Sequence, residues 1–243
     1  MCYLLVITLE NIINNASKRG IMALEQDIAE LDDFMQNFYH GEGLSVEEAQ
    51  QNLMKGIVEL TEFGQHSSCG LLITRSGYVL TAGHCVHESG VRYEDLGVRD
   101  AHGFNYRVER TWADDKFDIG LVKVNMNGSR GALRYRFLNP QNLQYQLPIA
   151  LLTLWDMQPR TSPGNIREIY RRVQTQDGHV FDNQFGIVGV IGKPGYSGSV
   201  VQTHDAKIVG FLSTGSADGR FRGGTKLETA LLMLHHYKEY LRR

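Results

Sequence analysis

Beyond Gly64 the chain stops repeating its apolar residues at helical spacing and breaks into short runs of Val, Ile, Leu and Tyr separated by glycine-containing turns. That texture suits a pair of antiparallel β-barrels and leaves little room for helices. Cys69 to Thr74 and Tyr78 to Thr81 form a hairpin about Arg75-Ser76-Gly77, and Phe104 to Trp112 and Ile119 to Val124 add further strands of a first barrel. Asn125 to Leu147 is turn-rich and lacks periodicity, as a link between barrels would. Ile166 to Gln174, Phe185 to Ile191, Ser199 to Gln202 and Lys207 to Ser213 supply a second barrel. Helical spacing returns from Thr229 to Leu241, where Leu231, Leu232, Leu234, Tyr237 and Leu241 share a broad face and Arg242-Arg243 suit a helix C-terminus.

Ahead of the β region, Leu24, Ile28, Leu31, Phe34, Met35 and Phe38 recur at the period of an amphipathic helix. Gly41 and Gly43 interrupt it, Ser45-Val46-Glu47-Glu48 has the form of a capping box, and Val46, Ala49, Leu53, Ile57 and Leu60 line a second helix. The expected organisation is a leader or mis-annotated start over 1–20, poorly ordered, then a helical hairpin over 21–63. A domain over 64–243 follows, with a first barrel at about 64–135, a second at about 148–228 and a C-terminal helix at about 229–241. The fold class is therefore mainly β: two antiparallel Greek-key β-barrels with a C-terminal helix, preceded by an N-terminal α-helical hairpin. The hairpin is expected to pack on a barrel as an extension, with regulation or self-association as its functional alternatives.

A formal charge of −2 gives no electrostatic case for a nucleic-acid partner. No apolar run approaches the roughly 20 residues a membrane helix needs. Tyr3 to Leu9 is apolar, but no lysine or arginine precedes it and Glu10 follows at once, so it makes a poor signal peptide; Met22 is an alternative start.

Three stretches carry chemistry. Leu80-Thr81-Ala82-Gly83-His84-Cys85 places a histidine at the end of an apolar strand, Asp118 opens Asp118-Ile119-Gly120-Leu121-Val122, and Ser197 sits within Gly195-Tyr196-Ser197-Gly198-Ser199. A serine hydroxyl is a weak nucleophile until an imidazole takes its proton, and the imidazole needs a carboxylate on its other nitrogen. Gly195 and Ser197 are the candidate backbone donors to the oxyanion of a tetrahedral intermediate. Each piece alone has an ordinary reading as a core histidine, a capping aspartate or a Gly/Ser turn. An α/β-hydrolase elbow would need Gly-x-Ser-x-Gly followed by Asp and His, whereas position 199 is Ser199 and both partners precede Ser197; the subtilisin order is also absent. A zinc site from His66, Cys69, His84, Cys85 and His87 is disfavoured, because adjacent residues on a strand face opposite ways. No metal or organic cofactor is expected.

In these motifs the chain resembles the trypsin-like (chymotrypsin-fold) serine peptidases from about Ser67 to the C-terminus. The serine loop is closer to bacterial-type members. The resemblance implies a serine endopeptidase acting on a peptide or protein substrate, with His84 as general base, Asp118 as its orienter and Ser197 as nucleophile; the alternative is an idle or latent scaffold that binds peptide without cutting it. It further implies that Ile191, six residues before Ser197, lies at the base of the specificity pocket. Ser213-Thr214-Gly215 would pair with substrate backbone, Ser213 would lie near Asp118, and Gly215 and Gly224 would leave the pocket open. Non-tryptic cleavage follows, with an apolar or small side chain preferred, or an acidic one if Lys193, Arg220 or Arg222 contributes. Tyr196 replaces the aspartate that pairs with a newly cut N-terminus in many animal members, so the oxyanion hole is expected to form without proteolytic activation, or under control of the helical hairpin. Cys69 and Cys85 resemble the family's disulfide bracing the histidine loop. Such a bond would mean a secreted or periplasmic protein, and two reduced thiols with no convincing signal peptide a cytoplasmic one.

Overall fold

The computed structural model describes residues 20–38, 43–87, 95–126, 133–169, 172–174, 180–182, 184–215 and 222–242. The leader expected over 1–20 lies outside them, save Gly20. A helix over 20–38 (α1) is followed by α2, Val46–Gly56, whose N-terminus carries the expected capping box: Ser45 Oγ accepts from Glu48 N–H and the Glu48 carboxylate accepts from Ser45 N–H.

The second helix is shorter than its apolar pattern suggests. It stops at Gly56, and Ile57–Glu62 is the first strand, β1. Gly56 packs so closely that a Cβ there would meet the Tyr135 hydroxyl at 2.0 Å. Ile57 and Leu60 continue the apolar spacing of α2 by sequence, but they belong to β1, which is covered on both sides and buries Glu59 and Thr61 along with Ile57, Val58 and Leu60.

The first barrel is closed in the order β1-β2-β3-β6-β5-β4, with β2 at Gln65–Leu72, β3 at Tyr78–Thr81, β4 at Leu96–Asp100, β5 at Asn105–Asp114 and β6 at Ile119–Val124. After α3, the short helical turn His84–His87, and the link that carries β7 (Arg136–Phe137), the second sheet comprises β8 (Pro148–Trp155), β9 (Gln158–Ile169), β12 (Gln184–Val188), β13 (Val200–Thr203), β14 (Lys207–Gly215) and β15 (Arg222–Lys226). Its order β13-β8-β9-β12-β15-β14 closes through β13–β14 pairing, β7 adds to β14 in parallel, and β10 (Arg172–Gln174) with β11 (Val180–Asp182) forms a separate ribbon.

Each barrel has its own apolar interior, Val58, Leu60, Val79, Val98 and Val122 in the first and Ile149, Leu151, Phe185, Ile187 and Val201 in the second. A third cluster joins them to the helices: Leu31 and Phe34 of α1, Leu53 of α2, and Leu234 and Tyr237 of α4 (Leu227–Leu241) share it with Tyr135 and Leu80. Asn37 and Asn52 donate to the carbonyls of Tyr135 and Arg134, so both N-terminal helices grip the inter-barrel link. The hairpin residues are thus integral to the core. Among the described residues no helix is long and apolar enough to cross a membrane.

Candidate active site

Strands β3 and β6 are paired with Thr81 opposite Gly120, so the chain leaving β3 runs beside the chain entering β6. Two glycines let them touch: a Cβ on Gly83 would lie 3.0 Å from Ile119 N, and one on Gly120 2.9 Å from the Ala82 carbonyl. His84 then opens α3 with its backbone N–H donating to Asp118 Oδ1 at 2.8 Å. Asp118 has a φ of +51°, a left-handed backbone that non-glycine residues adopt at a cost. The second barrel holds it there. Thr225 Oγ1 donates to the Phe117 carbonyl (3.0 Å) with the Asp118 carbonyl 3.3 Å away, and Gln184 Nε2 donates to Phe117 O (3.1 Å) and Thr225 Oγ1 (3.0 Å).

Ser197 sits on the seam between barrels. Its carbonyl accepts the Cys69 N–H of β2 at 2.8 Å, and the following N–H, of Gly198, donates to Leu212 O of β14 at 2.7 Å. Gly198 has φ +78°, and a Cβ there would fall 2.0 Å from the Cys69 carbonyl, so a side chain at 198 would push the barrels apart.

These supports bring the three candidates together. Imidazole Nδ1 of His84 is 3.0 Å from each Asp118 oxygen, and Nε2 is 2.9 Å from Ser197 Oγ. Ser213 Oγ donates to Asp118 Oδ2, as expected of that serine, and the Ser213 carbonyl lies 3.4 Å from Ser197 Oγ. The aspartate is 2% exposed, whereas the His84 side chain keeps 35% of its surface open, which a proton-exchanging group facing substrate needs. Burial works against the imidazolium, but the Asp118 carboxylate bonded to it, with Cys85 beside it, more than offsets this and raises the His84 pKa above the ordinary histidine value. Burial likewise opposes ionisation of Asp118, and the bond to His84 outweighs it, holding that pKa down. The arrangement can move a proton from Ser197 to His84 and stabilise the resulting cation.

Gly195 has φ +89°, and among the described residues no carbonyl takes the N–H of Gly195 or of Ser197. The specificity residues are placed less simply. Ile191 is 65% exposed, with its N–H on Ser162 Oγ at 2.6 Å, so it does not form a buried pocket floor. A Cβ on Gly224 would meet the Phe185 ring at 2.5 Å; this glycine admits Phe185 to the barrel core and does not open a pocket. Gly215 pairs with Arg222 across β14 and β15, and the Arg222 guanidinium donates to the Gly192 carbonyl at 2.8 Å. Thr214 lies on β14 between Ser213 and Gly215. Cys69 and Cys85 stand as free thiols, with Cys69 Sγ turned to the Leu154 carbonyl at 3.3 Å, and burial pushes the Cys69 thiol up to about 12.

Sequence reasoning missed Thr225 and Gln184, polar residues whose full burial only the fold reveals, and Trp155, Glu59 and Arg99, which gather around His66 behind the serine loop. An acidic residue inside the apolar run of β1 was the one available signal.

A search of curated proteins finds no significant match. Among solved structures, the fold is shared with the M. tuberculosis protease Rv3671c in its inactive form (14% identity, TM-score 0.60, 77% of this chain and 91% of that one). The active form of the same protease gives 13% identity and a TM-score of 0.61 over 76% of this chain and 82% of that one. The HtrA-type protease AlgW with tripeptide gives 14% identity and a TM-score of 0.63 over 81% of this chain and 64% of that one. Residues 68–211 match the trypsin-like peptidase domain, more than half of the chain. With its barrels closed in the chymotrypsin manner, the chain belongs to the trypsin-like serine peptidases and is a serine endopeptidase by class.

Proposed function

We propose that the chain hydrolyses peptide bonds through an acyl-enzyme on Ser197, with His84 as general base and then acid, Asp118 as its orienting carboxylate, and the N–H groups of Gly195 and Ser197 as oxyanion donors. The observation that carries this reading is the unbroken relay from Asp118 through His84 to Ser197 Oγ at 3.0 and 2.9 Å. Ser197 Oγ attacks the scissile carbonyl while His84 Nε2 accepts its proton; the imidazolium returns it to the leaving amine, and water repeats the sequence on the ester. An idle scaffold would have no need of this alignment, nor of a strained Asp118 backbone to secure it.

Specificity is non-tryptic in this reading. The Arg222 guanidinium beside Gly192 would present a like charge to a substrate cation. The same guanidinium favours a small or acidic side chain ahead of the scissile bond over a bulky apolar one.

Intact-mass spectrometry after fluorophosphonate treatment tests the nucleophile. One adduct on the wild-type chain, absent from Ser197→Ala, is expected; an unlabelled wild-type chain, or an adduct surviving that substitution, would overturn the assignment. Cleavage profiling on a peptide library then tests specificity, and a clear preference for Lys or Arg would refute it.

A further inference from the structure

The oxyanion loop needs an anchor, since Tyr196 stands where a carboxylate–N-terminus pair would otherwise hold it. Tyr196 is instead buried with its ring 5.5 Å from Trp155. The peptide between Gly195 and Tyr196 lies between the two candidate oxyanion donors, Gly195 N–H and Ser197 N–H, so its orientation sets where both point. In a trans peptide the N–H and C=O point in opposite directions. Here both ends are tied: Tyr196 N–H donates to Lys193 O at 3.1 Å, and the Gly195 carbonyl lies 2.8 Å from His66 Nε2, with the Cys69 thiol a longer contact at 3.7 Å.

The sequence around His66 builds that second tie. Between Leu60 and Thr61 the β1–β2 register shifts, leaving Ser67 without a partner and re-aiming the side chain before it. His66 then stacks on Trp155 at 4.2 Å between ring centres, and a Cβ on Gly195 would meet His66 Nε2 and Trp155 at 2.9 Å each, so the loop glycine is seated against both rings. Behind the imidazole, Nδ1 is 3.5 Å from Glu59 Oε1. Glu59 is fully buried; its Oε2 takes Arg99 Nε and Nη2, both at 2.7 Å, and its Oε1 accepts the Met157 N–H at 3.2 Å. The carboxylate therefore has its own partners, and among the described residues His66 Nδ1 makes no hydrogen bond.

We propose that His66, stacked on Trp155, is a positioning residue that holds the Gly195–Tyr196 peptide in the orientation that opens the oxyanion hole, in place of the missing N-terminal ion pair. The proposal rests on the acyl-enzyme reading above. A carbonyl oxygen can only accept, so His66 Nε2 must carry a hydrogen. Losing this donor leaves the triad intact and lets the peptide turn, which weakens stabilisation of the tetrahedral state while leaving ground-state peptide binding alone.

The test compares His66→Leu, which keeps bulk without a donor, with His66→Gln, whose amide N–H reaches the place of Nε2. His66→Leu is expected to lower the rate of fluorophosphonate labelling and kcat about 10- to 100-fold, with KM changed less than about twofold and a peptide boronate weakened by the same factor as kcat. His66→Gln should recover labelling to within about threefold of wild type. Wild-type rates in His66→Leu, or His66→Gln as slow as His66→Leu, would overturn the proposal. Should the leucine variant not fold, nitrogen-15 NMR of the wild-type histidines decides without it: a hydrogen on His66 Nε2 is expected, and a bare Nε2 overturns the idea. An unlabelled wild-type chain would instead count against Ser197 as nucleophile.

Discussion

Two aspartates in this molecule are buried almost equally, Asp118 at 2% and Asp27 at 6% exposure, and both are held by a basic side chain and a hydroxyl. Asp118 receives His84 Nδ1, the His84 backbone N–H and Ser213 Oγ; Asp27, on α1, receives Lys123 Nζ at 2.9 Å and the Tyr78 hydroxyl at 3.0 Å. The partners differ in one property. A lysine keeps its proton through the range in which a histidine exchanges one. The Asp27 cluster is also closed off: Lys123 donates to the Ser76 carbonyl at 2.6 Å, its ammonium lies over the Tyr78 ring at 4.6 Å, and burial pushes the Tyr78 hydroxyl pKa well up, so the phenol stays a donor. His84 in contrast is one-third open and bonded to a nucleophile. In the acyl-enzyme reading proposed above, the same carboxylate, buried to the same depth, is an anchor opposite a lysine and part of a proton relay opposite a histidine.

Isosteric substitution should separate the two roles. Asp118→Asn keeps the shape but removes the charge that fixes the His84 tautomer and stabilises its cation, and kcat is expected to fall about 10⁴-fold, or roughly 5.5 kcal/mol. Asp27→Asn should leave kcat per folded molecule unchanged; steady-state kinetics normalised by active-site titration reads both, and a comparable loss in both variants would collapse the distinction. The order reverses for stability. Asp27→Asn leaves the Lys123 ammonium buried without its counter-charge, and urea unfolding should lose about 3–5 kcal/mol, the range for breaking a buried pair from one side.

The pH response provides a smaller and more selective contrast. His84 must be neutral to accept the serine proton, so kcat/KM rises as pH climbs through its pKa. Because Asp118 raises that pKa, the acid limb should lie above the ordinary histidine value of about 6.5. Asp118→Asn should carry the limb back down towards that value, while Asp27→Asn leaves it in place. Linkage adds a stability signature. The raised His84 pKa contributes stability that is complete below about pH 6.5 and lost as pH rises through the folded-state value; the depressed Asp118 pKa contributes stability present above about pH 3.9 and lost as pH falls. An acid limb indifferent to Asp118→Asn would remove His84 as the base.

That His84, Asp118 and Ser197 could meet was legible in sequence because each lies within two residues of a glycine that the fold needs for close approach, and such glycines leave a local signature. The two barrels and α4 were legible for the same local reason, as short strand runs and one helical period. What surrounds the triad was not. Nothing local marks Thr225 and Gln184, which the second barrel buries against Phe117, and β1 read as helix because Ile57 and Leu60 continue the apolar spacing of α2. The surroundings of the specificity residues were hidden for a related reason: counting back to Ile191 gives no exposure, and only strand register puts Arg222 across from Gly215.

The smallest expected effect bears hardest on why α1 carries a buried charge at all. Lys123→Met alone leaves Asp27 with Tyr78 and with Arg110, whose Nη2 is 4.0 Å from Oδ2 and whose side chain is half exposed, so a buried carboxylate loses its nearest cation and stability should drop. Pairing it with Asp27→Leu removes both charges and leaves two apolar side chains beside Tyr78, where the aromatic contact with Tyr237 at 5.9 Å already joins the barrel to α4. The desolvation cost of the ion pair disappears along with its attraction, and replacement of buried pairs by apolar residues is often neutral or better. The double variant is therefore expected within about 1 kcal/mol of wild type by urea unfolding, with kcat unchanged. A double variant as unstable as either single one would show that the pair contributes net stability, with Ser76 and the 74–77 turn depending on the Lys123 ammonium itself, because Lys123 Nζ binds the Ser76 carbonyl while Glu30 of α1 accepts the Ser76 N–H at 2.7 Å.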